Sequence, residues 1–334
     1  MSERALVDVR AEPRVARYRA AEESLWRRYG IQPRERFVGL ASDRARIRIL
    51  EAGTGPALLL VHGSGPPGAA SAWAPLVAEL RGFRSIMVDL PGAGLSAPLR
   101  RRRGDYAIRL ADLLAGLLTE LGVERAHVMG WSIGGIWSLR LAQRHPERVD
   151  RMVQMAFSPI WAEVKPPASI RIMSTPIGAM LAGLPATPAV VRSLLRRVVG
   201  HGASLDAGRI APELIDWIVA LMRHTDTARN ERAWIPDLIG WGGAKPSLGF
   251  TEREVASIGK RLLYVYGSAD WPGTPEVAQR TVGLLPTSRV VVVPDGGHAP
   301  WLDDPSGVAR SVRRFLGWSQ SGDAAVTARP APSG

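Results

Sequence analysis

The stretch Gly130-Trp131-Ser132-Ile133-Gly134-Gly135 lies between an apolar run at Ala126–Met129 and a helical pattern at Gly134–Gln143. A serine on a sharp strand-to-helix turn needs small neighbours two residues away on either side, and Gly130 and Gly134 supply them. The backbone can then close tightly and push the hydroxyl outward. The helix that follows presents its positive dipole end and unpaired N–H groups beneath that hydroxyl.

Outward from this turn the chain alternates as a parallel α/β sheet does. Upstream, residues 12–29 read as a charged amphipathic helix ended by Gly30, then two strands at Arg36–Leu40 and Ala45–Leu50 around a turn with Ser42 and Asp43. Strand Ala57–His62, helix Ser71–Leu80, strand Ser85–Asp89 and helix Ala111–Leu121 lead into the turn, and strand Met152–Ala156 follows it. The rhythm stops there and returns at Arg261–Tyr266, a helix near Pro275–Leu284, a strand at Arg289–Val293 and a last helix at Gly307–Leu316. Continuous apolar strands imply a sheet covered on both faces. The interruption is too long for a loop. Leu214, Trp217, Ile218 and Leu221 sit at helical spacing, so it reads as a helical cap inserted into the sheet's connections. The expected organisation is an N-terminal helical extension (1–34), a core (35–157 and 260–317), the cap (158–259) and a loose Ser/Gly/Ala/Pro-rich tail (318–334).

Three further motifs carry chemistry. His62-Gly63-Ser64-Gly65-Pro66-Pro67-Gly68 follows the ALLLV run, and such a loop lets backbone N–H groups approach an oxyanion. The expected donors are the amide of Ile133 and one from Gly63 or Ser64. His62 is expected to hold the loop. His298, in Asp295-Gly296-Gly297-His298-Ala299-Pro300-Trp301, is the candidate base, because serine needs an imidazole to take its proton. Asp270, just past the RLLYVY strand, is the candidate acid that fixes the imidazole tautomer. Asp295, its rival, reads as a turn residue before Gly. Asp89 likewise reads as capping backbone groups in a turn. His127, His145, His201 and His224 have no metal-ligand spacing, and nothing in the pattern calls for a metal.

Composition narrows the classes. The 334 residues contain no cysteine, which excludes disulfides, thiolate zinc sites and a cysteine nucleophile. Met1-Ser2-Glu3-Arg4 leads into charged sequence unlike a secretory signal, so a cytoplasmic protein is expected. The formal charge is +12, nearly all of the positive part from arginine. The cluster Arg100–Arg103 lacks an aromatic-interleaved pattern and reads as a solvated loop, not a nucleic-acid patch. Ile172–Val191 is uncharged, but Pro176, Pro185 and Pro188 argue for an apolar flap and against a membrane span. A small-molecule substrate is the expected partner; the oligomeric state is left open.

Taken together, the glycine-rich loop, serine turn, acid and histidine, in that order, resemble the α/β-hydrolase superfamily over about residues 35–317. The resemblance implies an eight-stranded, mostly parallel sheet with helices on both faces, an inserted helical cap between strands six and seven, and catalysis without a cofactor. It carries Ser132 over as nucleophile, Asp270 as acid, His298 as base, and the Ile133 and Gly63/Ser64 amides as oxyanion hole. Haloalkane dehalogenases and epoxide hydrolases share the capped layout but use aspartate where this chain has Ser132. The HGSGPPG loop followed by Ser71-Ala72-Trp73 is similar to that of the meta-cleavage-product hydrolases. The extra proline and Ala299-Pro300 depart from that pattern. The leading expectation is hydrolysis of an ester or related acyl bond in a medium-sized apolar substrate. Carbon–carbon hydrolysis, or a lyase or cyclase reaction in the same pocket, are the alternatives. Trp131, Trp301 and the cap's Trp161, Met173, Met180 and Trp217 are candidate pocket walls, with core packing as the competing role for each.

Overall fold

The computed structural model describes residues 13–40, 45–99, 106–157, 186–240, 243–244, 249–270, 279, 283 and 288–317. Arg100–Arg103, Trp161, Met173, Met180, most of the expected flap, most of the helix expected near Pro275–Leu284 and the tail lie outside these residues.

Eight strands form one sheet: β1 (Arg34–Leu40), β2 (Ala45–Ala52), β3 (Ala57–Val61), β4 (Arg84–Val88), β5 (Ala126–Trp131), β6 (Val149–Met155), β7 (Leu262–Gly267) and β8 (Arg289–Val293). Their spatial order is β1-β2-β4-β3-β5-β6-β7-β8. β2 runs antiparallel to β1 and β4, and the remaining pairs are parallel. The crossover at β3 and β4 puts β3 and β5 side by side, so the HGSGPPG loop and the serine turn leave neighbouring strands at the same edge. Ligands of open α/β sheets bind at that carboxyl edge.

The apolar strands are buried on both faces because each face carries a core. One core includes Leu58, Leu60, Met87, Met129, Val153 and Leu263, and the other Leu59, Val61, Ile86, Val88, Val128 and Leu262. Successive strand residues thus feed opposite cores, as the two-residue period requires. Helices α3 (Tyr106–Glu120) and α4 (Ile133–Arg144) cover the second core. The segment expected as one helix over 71–80 is instead a 3₁₀ turn, Ala70–Trp73, and a single-turn α2, Ala74–Val77. The two short pieces bury Ala70 to Val77 completely or nearly so, and the chain turns as it does so.

Between β6 and β7 the described residues form α5 (Pro188–Arg197), α6 (Gly202–Asp206), α7 (Pro212–His224), α8 (Thr227–Leu238) and α9 (Glu252–Ser257), an insertion between the two strands. The apolar face of α7 (Leu214, Trp217, Ile218 and Leu221, each at most 1% exposed) is covered by the N-terminal helix α1 (Pro13–Arg28). The indole Nε1 of Trp217 donates to the Tyr18 hydroxyl at 3.4 Å. The N-terminal helix therefore packs as part of the molecule, wedged between insertion and sheet.

A charged network ties α1 to the sheet. The Arg48 guanidinium, 1% exposed, meets Glu22 at 2.5 Å, Glu35 at 2.6 Å and Asp89 at 3.0 Å. Glu22 also accepts from the Tyr18 and Ser71 hydroxyls. Asp89 accepts from the Ala70 and Leu95 amides, so it does hold a turn, as expected, and pairs with Arg48 besides. A last helix, α10 (Pro305–Leu316), is capped by Asp304 and ends on left-handed Gly317. Among the described residues no helix is long and apolar enough to cross a membrane.

Candidate active site

Ser132 ends β5 and stands immediately before α4, with φ 53° and ψ −128°. This is a strained, left-handed setting for a non-glycine residue. Tight packing enforces it. A Cβ on Gly134 would collide with the carbonyl oxygens of Val61 and His62. The turn can therefore lie against β3 only if that residue is glycine. One on Gly63 would come within 2.8 Å of the Ser132 Cβ, so the glycine-rich loop also touches the serine through bare backbone.

His298 reaches Ser132 from the loop after β8. Its Nε2 lies 2.8 Å from Ser132 Oγ, and its Nδ1 lies 2.9 Å from Asp270 Oδ1. The carboxylate can only accept, so Nδ1 carries the proton and Nε2 faces the serine as acceptor. All three side chains are buried, Ser132 7%, Asp270 6% and His298 8% exposed. Asp295 is exposed, with φ 52°, and it occupies the turn before Gly296. Of the two candidate acids, Asp270 is the one in contact with the imidazole.

The loop that carries His298 is held from both sides. The amide of Gly297 donates to Asp303 Oδ2 at 2.8 Å, that of His298 to the Val199 carbonyl at 2.8 Å, and that of Ala299 to His201 Nε2 at 3.2 Å. His201 in turn donates from Nδ1 to Asp303 at 2.8 Å. Val199 and His201 belong to the insertion, so the insertion braces the histidine loop directly. In the sequence His201 is one of several scattered histidines and Asp303 belongs to no motif; the partners of His201, Ala299 and Asp303, are 98 and 102 residues distant.

His62 holds its loop, as expected, and is no candidate base. Burial lowers its pKa, favouring the neutral ring. Nδ1–H then donates to the Gly63 carbonyl at 2.6 Å, and Nε2 accepts from the Leu90 amide at 3.0 Å. Ile133 is the first residue of α4, so its amide has no partner within the helix. Gly63 and Ile133 share the wall of a cavity of about 10 Å³ with Leu90, Tyr106, Trp137 and Glu231, space for roughly one water molecule.

The expected wall residues that are described are deeply packed. Trp131 is 2% exposed and donates to the His298 carbonyl at 2.7 Å. Trp301 is fully buried, donates to the Ala72 carbonyl at 2.9 Å, and stacks on Trp73 at 4.5 Å between ring centres. Trp217 lies against α1. None of the three lines the cavity beside Ile133.

Comparison with known proteins agrees with this layout. A family model described as the α/β-hydrolase fold matches residues 56–176, which hold the glycine-rich loop and the serine turn. A pimeloyl-[acyl-carrier protein] methyl ester esterase of Aeromonas salmonicida is 29% identical over 272 residues, 79% of this chain and 97% of the relative. A 2-hydroxy-6-oxononadienedioate/2-hydroxy-6-oxononatrienedioate hydrolase of Cupriavidus pinatubonensis is 26% identical over 299 residues, 84% of this chain and 95% of the relative. The crystal structure of a carboxylesterase from Bacillus subtilis superposes with a TM-score of 0.70 at 23% identity, covering 91% of this chain and 99% of that one. With the matched family model, the sheet order and the serine turn between β5 and α4, the chain has the α/β-hydrolase fold.

Proposed function

We propose that the protein is a serine hydrolase that cleaves an ester or related acyl bond of a medium-sized apolar substrate through an acyl-enzyme. The observation that carries this reading is the unbroken hydrogen-bonded chain Ser132–His298–Asp270 at 2.8 and 2.9 Å. In this reading His298 Nε2 takes the Ser132 proton as Oγ attacks the substrate carbonyl carbon. Asp270 holds the tautomer and balances the imidazolium that forms. The carbonyl oxygen becomes an oxyanion facing the amides of Ile133 and of Gly63 or Ser64. Collapse of the tetrahedral intermediate expels the alcohol, which receives the proton from His298. Water, activated by the same imidazole, then releases the acid and restores Ser132. The esterase relative supports this choice.

The test is Ser132→Ala with activated esters and a fluorophosphonate probe. The wild-type protein should turn over the esters and label at Ser132, and the variant should do neither while unfolding at the same temperature. Retention of most of the activity by the variant would refute the reading. The second reading, hydrolysis of a carbon–carbon bond beside a ketone, is favoured by the HGSGPPG loop and the Cupriavidus relative. Probe labelling without turnover of any ester would move it to first place.

A further inference from the structure

Helix α8 of the insertion turns one face to the loops of the site. Thr227, Asn230 and Glu231 are spaced so that they share a side of the helix. Thr227 Oγ1 accepts from the Gly94 amide at 2.9 Å, and Asn230 Nδ2 donates to the Gly92 carbonyl at 2.8 Å. Both carboxyl oxygens of Glu231 accept from the Gly65 amide, at 3.0 and 3.1 Å. Glu231 is 8% exposed and shares the cavity wall with Gly63 and Ile133, whose amides are the proposed oxyanion donors. No cation pairs with it among the described residues; the titratable groups that share its cavity are His62 and Tyr106.

We propose that Glu231 is a positioning residue for the reaction proposed above, fixing the Gly63–Gly68 loop through the Gly65 amide so that the loop's oxyanion donors face Ser132. The inference rests on that functional reading. Two geometric facts support it. A buried carboxyl is costly unless its oxygens are satisfied, and here one backbone amide of this loop serves both. That amide lies one residue beyond Ser64, and its bonds to the carboxyl take it out of the set of loop amides left to meet the oxyanion. A side chain of the insertion thus sets the loop geometry. Burial also pushes the carboxyl up to about 8, so near neutrality it is mostly uncharged. A neutral acid beside the donors does not repel the negative charge that builds on the substrate oxygen.

The experiment compares Glu231→Ala and Glu231→Gln with the wild type, using p-nitrophenyl butyrate kinetics, fluorophosphonate labelling and hydrogen exchange of the 62–70 peptide. The alanine variant should lose kcat on the order of 10-fold or more with KM nearly unchanged, in the range of losing part of an oxyanion hole. Its Gly65 amide should exchange faster. The glutamine variant, whose amide oxygen can still accept, should keep most of kcat and the slow exchange. Unchanged exchange in Glu231→Ala, an effect confined to KM, or no rescue by Gln would each overturn the proposal. If the wild type neither labels nor turns over ester, the functional reading fails by itself, and the exchange result still decides whether Glu231 sets the loop.

Discussion

Replacing Arg48 by methionine measures what holds the N-terminal helix to the sheet. The guanidinium is 1% exposed and contacts Glu22 and Asp89, whose side chains are 7% and 0% exposed, and the more open Glu35 at 23%. Methionine fills much of the same volume, so the cavity left is small. The dominant cost is two buried carboxylates left without their cation. Breaking one side of a buried ion pair costs about 3–5 kcal/mol. Here the acids keep other donors: Tyr18 and Ser71 hydroxyls on Glu22, and Ala70 and Leu95 amides on Asp89. These donors place the expected loss at the lower end, about 3 kcal/mol. At about 2–4 °C per kcal/mol, Tm should fall by roughly 6–12 °C. Adding Glu22→Gln removes one of the stranded charges and should recover at least about 1 kcal/mol of that loss, a coupling typical of contacting residues. Calorimetry and urea titration at neutral pH give both quantities. A loss under about 1 kcal/mol for Arg48→Met, or simple addition of the two single losses in the double variant, would refute the argument that charge pairing joins these elements.

Asp270→Asn should lower kcat by a factor on the order of 10³–10⁴, since the amide favours the wrong imidazole tautomer, whereas Asp295→Asn should change it little; steady-state ester kinetics would expose a reversed order. Glu231 links stability to pH. Its folded pKa, about 8, lies above the ordinary 4.5, so the folded state holds a proton that the unfolded chain releases. Stability from this group is full below about pH 4.5 and is lost as pH rises to about 8, by up to about 5 kcal/mol at 1.36 kcal/mol per unit. Glu231→Gln should remove this slope, which urea titrations from pH 5 to 9 would reveal; an identical slope in the variant would count against it. Gly134→Ala should prevent the serine turn from seating against Val61 and His62, abolishing fluorophosphonate labelling and lowering Tm, and normal labelling would contradict the packing argument.

The parts of this protein legible in its sequence are those governed by local backbone rules. Gly130 and Gly134 around Ser132 announce a turn whose sterics hold wherever the chain goes, and apolar runs such as Ala57–Val61 announce buried strands by composition alone. Asp270 and His298 were readable because each follows a strand, and strand ends in a parallel sheet converge on one edge. Asp270 could be separated from Asp295 in the sequence only by turn preference; contact with the imidazole required the folded chain.

What the tertiary structure decided are pairings between distant, individually unremarkable polar residues. Asp89 reads as a turn residue, Glu22 falls in a charged helix and Arg48 in a strand, yet they meet in the interior because α1 lies across the sheet. Glu231 sits in a polar helix, 166 residues from the Gly65 amide it receives, and His201 stands 102 residues from Asp303. Trp217 showed a buried helix face, but not that α1 would cover it. A side chain's periodicity reports that one face is buried; only packing determines which element supplies the other half of the contact. A buried polar group must find its partner wherever the fold brings a donor, and that position follows from the three-dimensional arrangement of helices and loops, not from spacing along the chain.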